Sequence, residues 1–296
     1  MDLHLVDGTY ELFRAYFSAP EAESKDGIEV GAVRGVLQTL LQMTKKEGAT
    51  HLAVAFDTVI ESFRNDLYDG YKTGEGIEDD LGLQFPLVEE GAEALGFVVW
   101  RMREFEADDA LSAFAHQARA FDDVETIHLC TPDKDLAQSV EERTKGKRTL
   151  LVDRRRKISY DEDGVLEKFG VPPAAVPDYL ALVGDAADGI PGIPRWGAKS
   201  TSQVLREYGS LEKIPLDEKY WRIKVRGATT LAENLREEYE EAKLYKKLAT
   251  LRLDVSFDEN PVDLLWRGAD RAKLEAFADK LAWPRILERC HRYQDE

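Results

Sequence analysis

The chain has 296 residues, 43% of them hydrophobic and 33% charged, and a formal charge of −17. That length suits one large domain or two modest ones with a sizeable core. No apolar run approaches a membrane span. The opening residues lack the basic start of a secretory signal, and Cys130 and Cys290 show neither metal-ligand spacing nor a disulfide framework, so a cytoplasmic protein is expected.

In chain order, apolar strand-like runs at 3–6, 52–56, 97–100, 126–130 and 150–152 alternate with helical patterns at 33–46, 87–95 and 107–120. Such alternation predicts βαβ units, an α/β fold with a mostly parallel central sheet flanked by helices. From about residue 161 the pattern turns helical, with helices expected at 166–169, 176–183, 199–208 and 231–248 and a short strand at 250–255. The expected division is an α/β core over 1–170 and a helical region over 171–296.

Acidic residues fall where the strands end. Asp7 follows the first strand and Asp57 the second. Glu106, Asp108 and Asp109 follow the third, and Asp133 and Asp135 follow the fourth. In a parallel sheet these ends share one edge, the edge where ligands bind. An acid in the first turn of a helix also complements the helix dipole, which is the structural reason for any single member. Collected in one volume, the carboxylates would raise one another's pKa unless a cation offset them. Hard divalent ions, Mg²⁺ or Mn²⁺, match an all-oxygen donor set. The five histidines are scattered and offer no zinc site. Two ions in such a site would clamp the attacking and leaving oxygens of a displacement at phosphorus. No Walker loop or dinucleotide-binding glycine fingerprint is present.

Residues 184–214, GDAADGIPGIPRWGAKSTSQVLREYGSLEKI, add Asp185 and Asp188 before a Gly/Pro-rich turn and then a helix stopped at Gly209. This predicts a helix-hairpin-helix at about 185–210. Its backbone N–H groups, with Gly192, Gly197, Lys199, Ser200 and Thr201, could grip a nucleic-acid backbone without reading bases. Trp196 is expected to pack beneath the turn.

These blocks resemble the 5′-nuclease superfamily: flap endonucleases, bacteriophage 5′-exonucleases and the N-terminal nuclease domain of bacterial DNA polymerase I. The matching segments are LVDGTYELFRAY (5–16), AFDTVIESFRNDLYDGYK (55–72), EADDALSA (106–113), TPDKDLAQSV (131–140), GDAADGIPGIPRWGAKS (184–200) and LATLRLDV (248–255). The order is the family's, and nearly the whole chain is covered, as in a stand-alone form. The resemblance implies metal-binding positions at Asp7, Asp57, Glu106, Asp108, Asp109, Asp133, Asp135, Asp185 and Asp188. It implies catalytic basic groups at Lys72 and Arg64, a nucleotide contact at Tyr71, two or more Mg²⁺ or Mn²⁺ ions, and K⁺ at the hairpin. The implied substrate is DNA with a 5′ flap, gap or free 5′ end, or an RNA primer in a DNA hybrid. The implied setting is replication and repair by a monomer associated with the nucleoid. A non-catalytic DNA-junction binder and a PIN-type ribonuclease are the alternatives.

Three departures stand out. Glu75 takes a position that is basic in the family, and the expected arch region, 73–95, contains no Lys or Arg. Arg195 stands where the family has glycine, and Gly189 where it has asparagine. Against the −17, basic residues group at Arg143, Lys145, Lys147 and Arg148, at Arg154, Arg155, Arg156 and Lys157, and at Lys219, Arg222, Lys224 and Arg226. Local potential steers a ligand more than net charge does.

Overall fold

The computed structural model describes residues 1–143 and 146–294. In chain order the elements are β1 (Asp2–Asp7), α1 (Gly8–Tyr16), α2 (Gly31–Lys46), β2 (His51–Asp57), α3 (Asp79–Gly82), α4 (Gln84–Ala94), β3 (Val98–Met102), α5 (Ala107–Ala118), β4 (Thr126–Cys130), β5 (Glu141–Glu142), β6 (Arg148–Asp153), β7 (Ile158–Tyr160), α6 (Glu162–Phe169), α7 (Val176–Val183), α8 (Ala198–Tyr208), α9 (Ala228–Glu237), α10 (Tyr239–Ala249), α11 (Arg271–Lys280) and α12 (Arg285–Arg289). They divide into two compact units. One comprises residues 1–60, 74–131 and 252 onward, and the other residues 61–73 and 132–251.

In the first unit β3, β2, β1 and β4 lie side by side, all parallel. The register sets Asp7 beside Ala55, Val6 beside Cys130 and Asp57 beside Met102, so the carboxyl ends share one edge. The central strands read as continuous apolar runs because both faces are covered, as parallel sheets require. Leu3, Leu5, Val54 and Phe56 are fully buried. One core joins Val6, Val54 and Phe56 to Leu37 and Leu40 of α2, Val88 of α4 and Phe277 of α11. Helix α5 packs against β1, β2 and β3.

The expected arch region, 73–95, contains two helices, α3 and α4. Its apolar residues recur at helical spacing, and Leu81, Phe85, Val88 and Ala92 enter this core. Gln84 Oε1 accepts the Val33 N–H at 3.2 Å. Residues 79–94 are therefore two packed helices, and within this unit only 74–78 remain as loop ahead of them.

In the second unit β6 pairs antiparallel with β5 and β7, beside helices α6 to α10. The helix expected at 231–248 is two helices, parted at Glu238, whose φ of −111° and ψ of 34° leave the helical region. The strand expected at 250–255 does not form. Side chains take its backbone groups instead: Gln138 Oε1 accepts from Leu251 N at 3.0 Å, Asp109 Oδ1 accepts from Arg252 N at 2.8 Å, and Gln117 Nε2 donates to Val255 O at 2.9 Å.

Candidate metal centre

The nine expected acids fall into two groups, one in each unit. In the first, Asp7 ends β1 and caps α1 with no intervening loop. Its Oδ1 accepts from Tyr10 N at 2.8 Å and its Oδ2 from the Thr131 hydroxyl at 2.9 Å. Asp57 ends β2, and its Oδ1 accepts from Ala107 N, in the first turn of α5, at 2.6 Å. Glu106 precedes that helix and is buried; Asp108 lies in its first turn, partly exposed. Asp109 is fully buried, with Oδ2 accepting from Glu106 N at 3.0 Å and Oδ1 from Arg252 N at 2.8 Å. Both Asp109 oxygens thus accept from backbone N–H groups, one of them closing the capping box at the start of α5.

The second group is held by lysines. Asp133 and Asp135 follow β4, and Asp133 Oδ1 accepts from Asp135 N at 2.9 Å. Asp185 and Asp188 sit in the loop after α7, closed by paired bonds between Asp185 and Ile190 at 2.7 and 2.8 Å. Carboxylate oxygens of Asp135, Asp185 and Asp188 lie within 4.8 Å of one another. Lys72 Nζ stands 2.9 Å from Asp188 Oδ1, and Lys134 Nζ 2.6 Å from Asp185 Oδ1. Asp135 Oδ1 is buried without a hydrogen-bond partner among the described residues. Burial, then the neighbouring acids, hold the Asp135 carboxyl well above its ordinary range; burial raises Asp133 too, and Asp188 and Asp185 add to it. Burial lowers the Lys134 ammonium, but the bond to Asp185 and the field of Asp135 and Asp133 outweigh it, so its pKa is raised. An all-oxygen set with an orphaned, buried oxygen fits a hard divalent cation.

Gly189 shows why asparagine is absent there. Its φ is +75°, and a Cβ would come within 2.1 Å of the Gly70 carbonyl oxygen. That close approach fixes segment 61–73 against the acidic loop, with Lys72 N donating to Asp188 O at 3.0 Å.

Several expected surface contacts are interior. Arg64 is 1% exposed, and its guanidinium donates to Leu248 O at 2.8 Å and Thr250 O at 3.3 Å. These bonds anchor segment 61–73 to the end of α10. Tyr71 is buried, with Lys72 Nζ 5.6 Å from its ring centroid, and Thr201 is fully buried. Gly192, at φ +73°, packs against the end of α7, where a Cβ would meet Gly184 N at 2.5 Å. The hairpin has its own small core of Ile190, Ile193, Trp196, Val204 and Leu205. Trp196 packs as expected, its indole N–H donating to Leu231 O at 3.0 Å. Gly197 and Lys199 remain at the surface, and Ser200 is partly buried, accepting from Gly197 N at 3.2 Å as a cap. Arg195, in the family's glycine position, has φ +73°, so the backbone keeps the left-handed turn while the side chain changes.

The basic groups are mostly exposed: Arg155, Arg156 and Lys157 between β6 and β7, and Lys219, Arg222, Lys224 and Arg226 beside Tyr220. Lys145 lies outside the described residues. In the first unit, Arg14, Arg34, Arg285 and Arg289 line a cavity of about 440 Å³ with Trp283. Sequence reading missed it because these arginines are dispersed along the chain and form no run.

A parallel sheet with carboxylates at its strand ends, and a second carboxylate group drawn from the segment after β4 and the loop after α7, define an acidic α/β protein suited to hard cations. The comparisons make the class specific. Family models match residues 2–170 as a 5′-3′ exonuclease N-terminal resolvase-like domain and residues 171–272 as a 5′-3′ exonuclease C-terminal SAM fold. The 5′-3′ exonuclease of Aquifex aeolicus is 30% identical over 97% of this chain and 94% of its own length. DNA polymerase I of Pseudomonas aeruginosa is 36% identical over 90% of this chain. The chain spans about a third of the length of the DNA polymerase I relatives, 29% in that case. Among solved structures, T5 5′-exonuclease with bound zinc aligns with a TM-score of 0.68 at 19% identity, covering 95% of this chain and 98% of that one. The catalytic core of Rad2 in complex with DNA aligns at 0.62 and 15% identity, covering 96% and 88%. The chain belongs to the 5′-3′ exonuclease family. Among the described residues, no helix is long and apolar enough to cross a membrane.

Proposed function

We propose that this chain is a divalent-cation-dependent, structure-selective 5′-nuclease that hydrolyses DNA phosphodiesters at 5′ flaps, gaps and free 5′ ends, RNA primers in DNA hybrids included. Family membership supports the reaction class. The observation that carries the site is the oxygen cluster of Asp135, Asp185 and Asp188, with Asp135 Oδ1 buried and unpartnered. In the second unit Asp133, Asp135, Asp185 and Asp188 would hold a cation; in the first, Asp7, Asp57, Glu106 and Asp108 would hold a cation, with Asp109 supporting. Mg²⁺ or Mn²⁺ would stabilise charge on the attacking and leaving oxygens at phosphorus. Lys72 is the residue proposed to meet the scissile phosphate, since its ammonium lies at the edge of the acidic group. Arg64 positions Lys72 by fixing segment 61–73.

Exposed Gly197 and Lys199, the basic residues 155–157 and 219–226, and the arginine-lined cavity support contact with a polyanion despite the −17. Binding held by such groups weakens steeply with salt. The proposed division keeps 1–170 as core and 171–296 as the region carrying the hairpin, with K⁺ at its turn, in a monomer. The test is cleavage of labelled 5′-flap substrates in Mg²⁺ or Mn²⁺, with free or blocked 5′ ends and with DNA or RNA flaps. Cleavage of the DNA flap at or near the junction is expected. Binding without cleavage in both metals, or cleavage of RNA flaps alone, would overturn the proposal.

A further inference from the structure

The second carboxylate group holds two ammonium groups, and they are held differently. Lys72 is held at both its backbone groups and at its head. Its N–H donates to Asp188 O at 3.0 Å, its carbonyl accepts from Asn65 Nδ2 at 2.9 Å, and its head stands 2.9 Å from Asp188 Oδ1. Lys134 reaches in from the turn between Asp133 and Asp135. Its side chain is 36% exposed, yet its head sits 2.6 Å from Asp185, whose side chain is 2% exposed. A lysine on a flexible four-carbon stem is a mobile point charge.

Four carboxyl groups face two ammonium groups, so acids are in excess, and among the described residues Asp135 Oδ1 has no hydrogen-bond partner. A divalent cation would seek the same oxygens, and its charge would repel the ammonium bound to them. We propose that Lys134 is a built-in counter-cation, which neutralises Asp185 while no metal is present and is displaced toward solvent when a divalent cation binds. This rests on reading the group as a cation site. Lys72, pinned at backbone and head, stays. The protein can thus keep this acidic loop closed before metal arrives, at the cost of weaker cation affinity.

The test is calorimetric titration of the full-length protein with Mn²⁺, in an Asp57→Asn background to weaken binding at the first group. Asparagine there keeps an acceptor for Ala107 N. Melting temperature in chelator is the second readout. Lys134→Met should bind Mn²⁺ at least about tenfold more tightly, because a like charge a few ångströms away is removed, and should melt lower in chelator. Lys134→Arg should keep the melting temperature and bind Mn²⁺ more weakly, because a guanidinium paired to a carboxylate is harder to displace. Equal Mn²⁺ affinity across Lys, Met and Arg, or tighter binding without loss of chelator stability, would overturn the proposal while leaving the cation site standing. Failure of the protein with Lys134 to bind Mn²⁺ at all would take down both.

Discussion

The two carboxylate groups keep their acids in the fold by different means. Asp7, Asp57 and Asp109 accept hydrogen bonds from neutral donors, chiefly backbone N–H groups at the starts of α1 and α5. Helix N-termini supply such donors together with a favourable dipole. Asp185 and Asp188 instead face ammonium groups, and Asp133 and Asp135 are pushed toward protonation by burial and by neighbouring acids, Asp188 and Asp185 among them. Acids of the first kind also help to build the scaffold. Those of the second kind are crowded by other carboxyl groups, a repulsion that the proposed cation would relieve.

The largest difference should appear in catalysis. Asp135→Asn and Asp185→Asn each remove a proposed ligand and should lower flap cleavage by more than about a hundredfold, measured as single-turnover rates. Asp135→Asn should not lower the melting temperature in chelator, since it removes a carboxyl crowded by other acids, whereas Asp185→Asn also breaks the pair with Lys134. A variant that keeps full activity would remove its residue from the site.

Stability should move the other way in the first group. Asp109→Ala strips two backbone N–H groups of their acceptor in a buried setting and should cost about 2–3 kcal/mol in urea unfolding, with or without metal. A change near zero would mean that Asp109 is not a structural cap.

Proton linkage gives the third contrast. The folded pKa values of Asp133 and Asp135 lie above the ordinary carboxylate value of 3.8. The folded state therefore binds more protons than the unfolded state between the two values. Their contribution favours folding below the ordinary value and is lost as pH rises through the raised one. In chelator, the melting temperature should fall as pH rises above the usual carboxylate range, and Mn²⁺ should offset the fall. Asp135→Asn should flatten the chelator profile; an unchanged slope would contradict the assignment.

The smallest effect concerns the hairpin. Arg195 has φ +73°, which costs a non-glycine residue on the order of 1 kcal/mol. Arg195→Gly should raise stability by up to about that amount. If it also weakens flap binding at low salt, measured by anisotropy, the arginine has been retained for contact with the backbone phosphates.

Much of this was legible in the sequence because the local signals agreed. Strands β1 to β4 appear as apolar runs, each followed by an acid, and the parallel order followed from the helices between them. Burial was less legible. Arg64, Tyr71 and Thr201 are residue types common at nucleic-acid surfaces, and only the packed segment 61–73 and the hairpin core turn them inward. The segment at 250–255 has strand-like composition, but Gln138, Asp109 and Gln117 take its backbone groups, a tertiary choice with no local signature. Lys134 lay unremarked between two acids because its partner, Asp185, is far away in sequence. The arginine-lined cavity gathers residues from 14 to 289, which no window of sequence reveals.

Crystals soaked in Mn²⁺ and measured at the manganese edge test the central claim most directly. The account predicts an anomalous peak bonded to oxygens of Asp135, Asp185 and Asp188, about 2.0–2.3 Å away as for hard cations of this size, with Lys134 Nζ withdrawn from Asp185. A map at millimolar Mn²⁺ with no peak among these oxygens, and both lysines still in place, would contradict it.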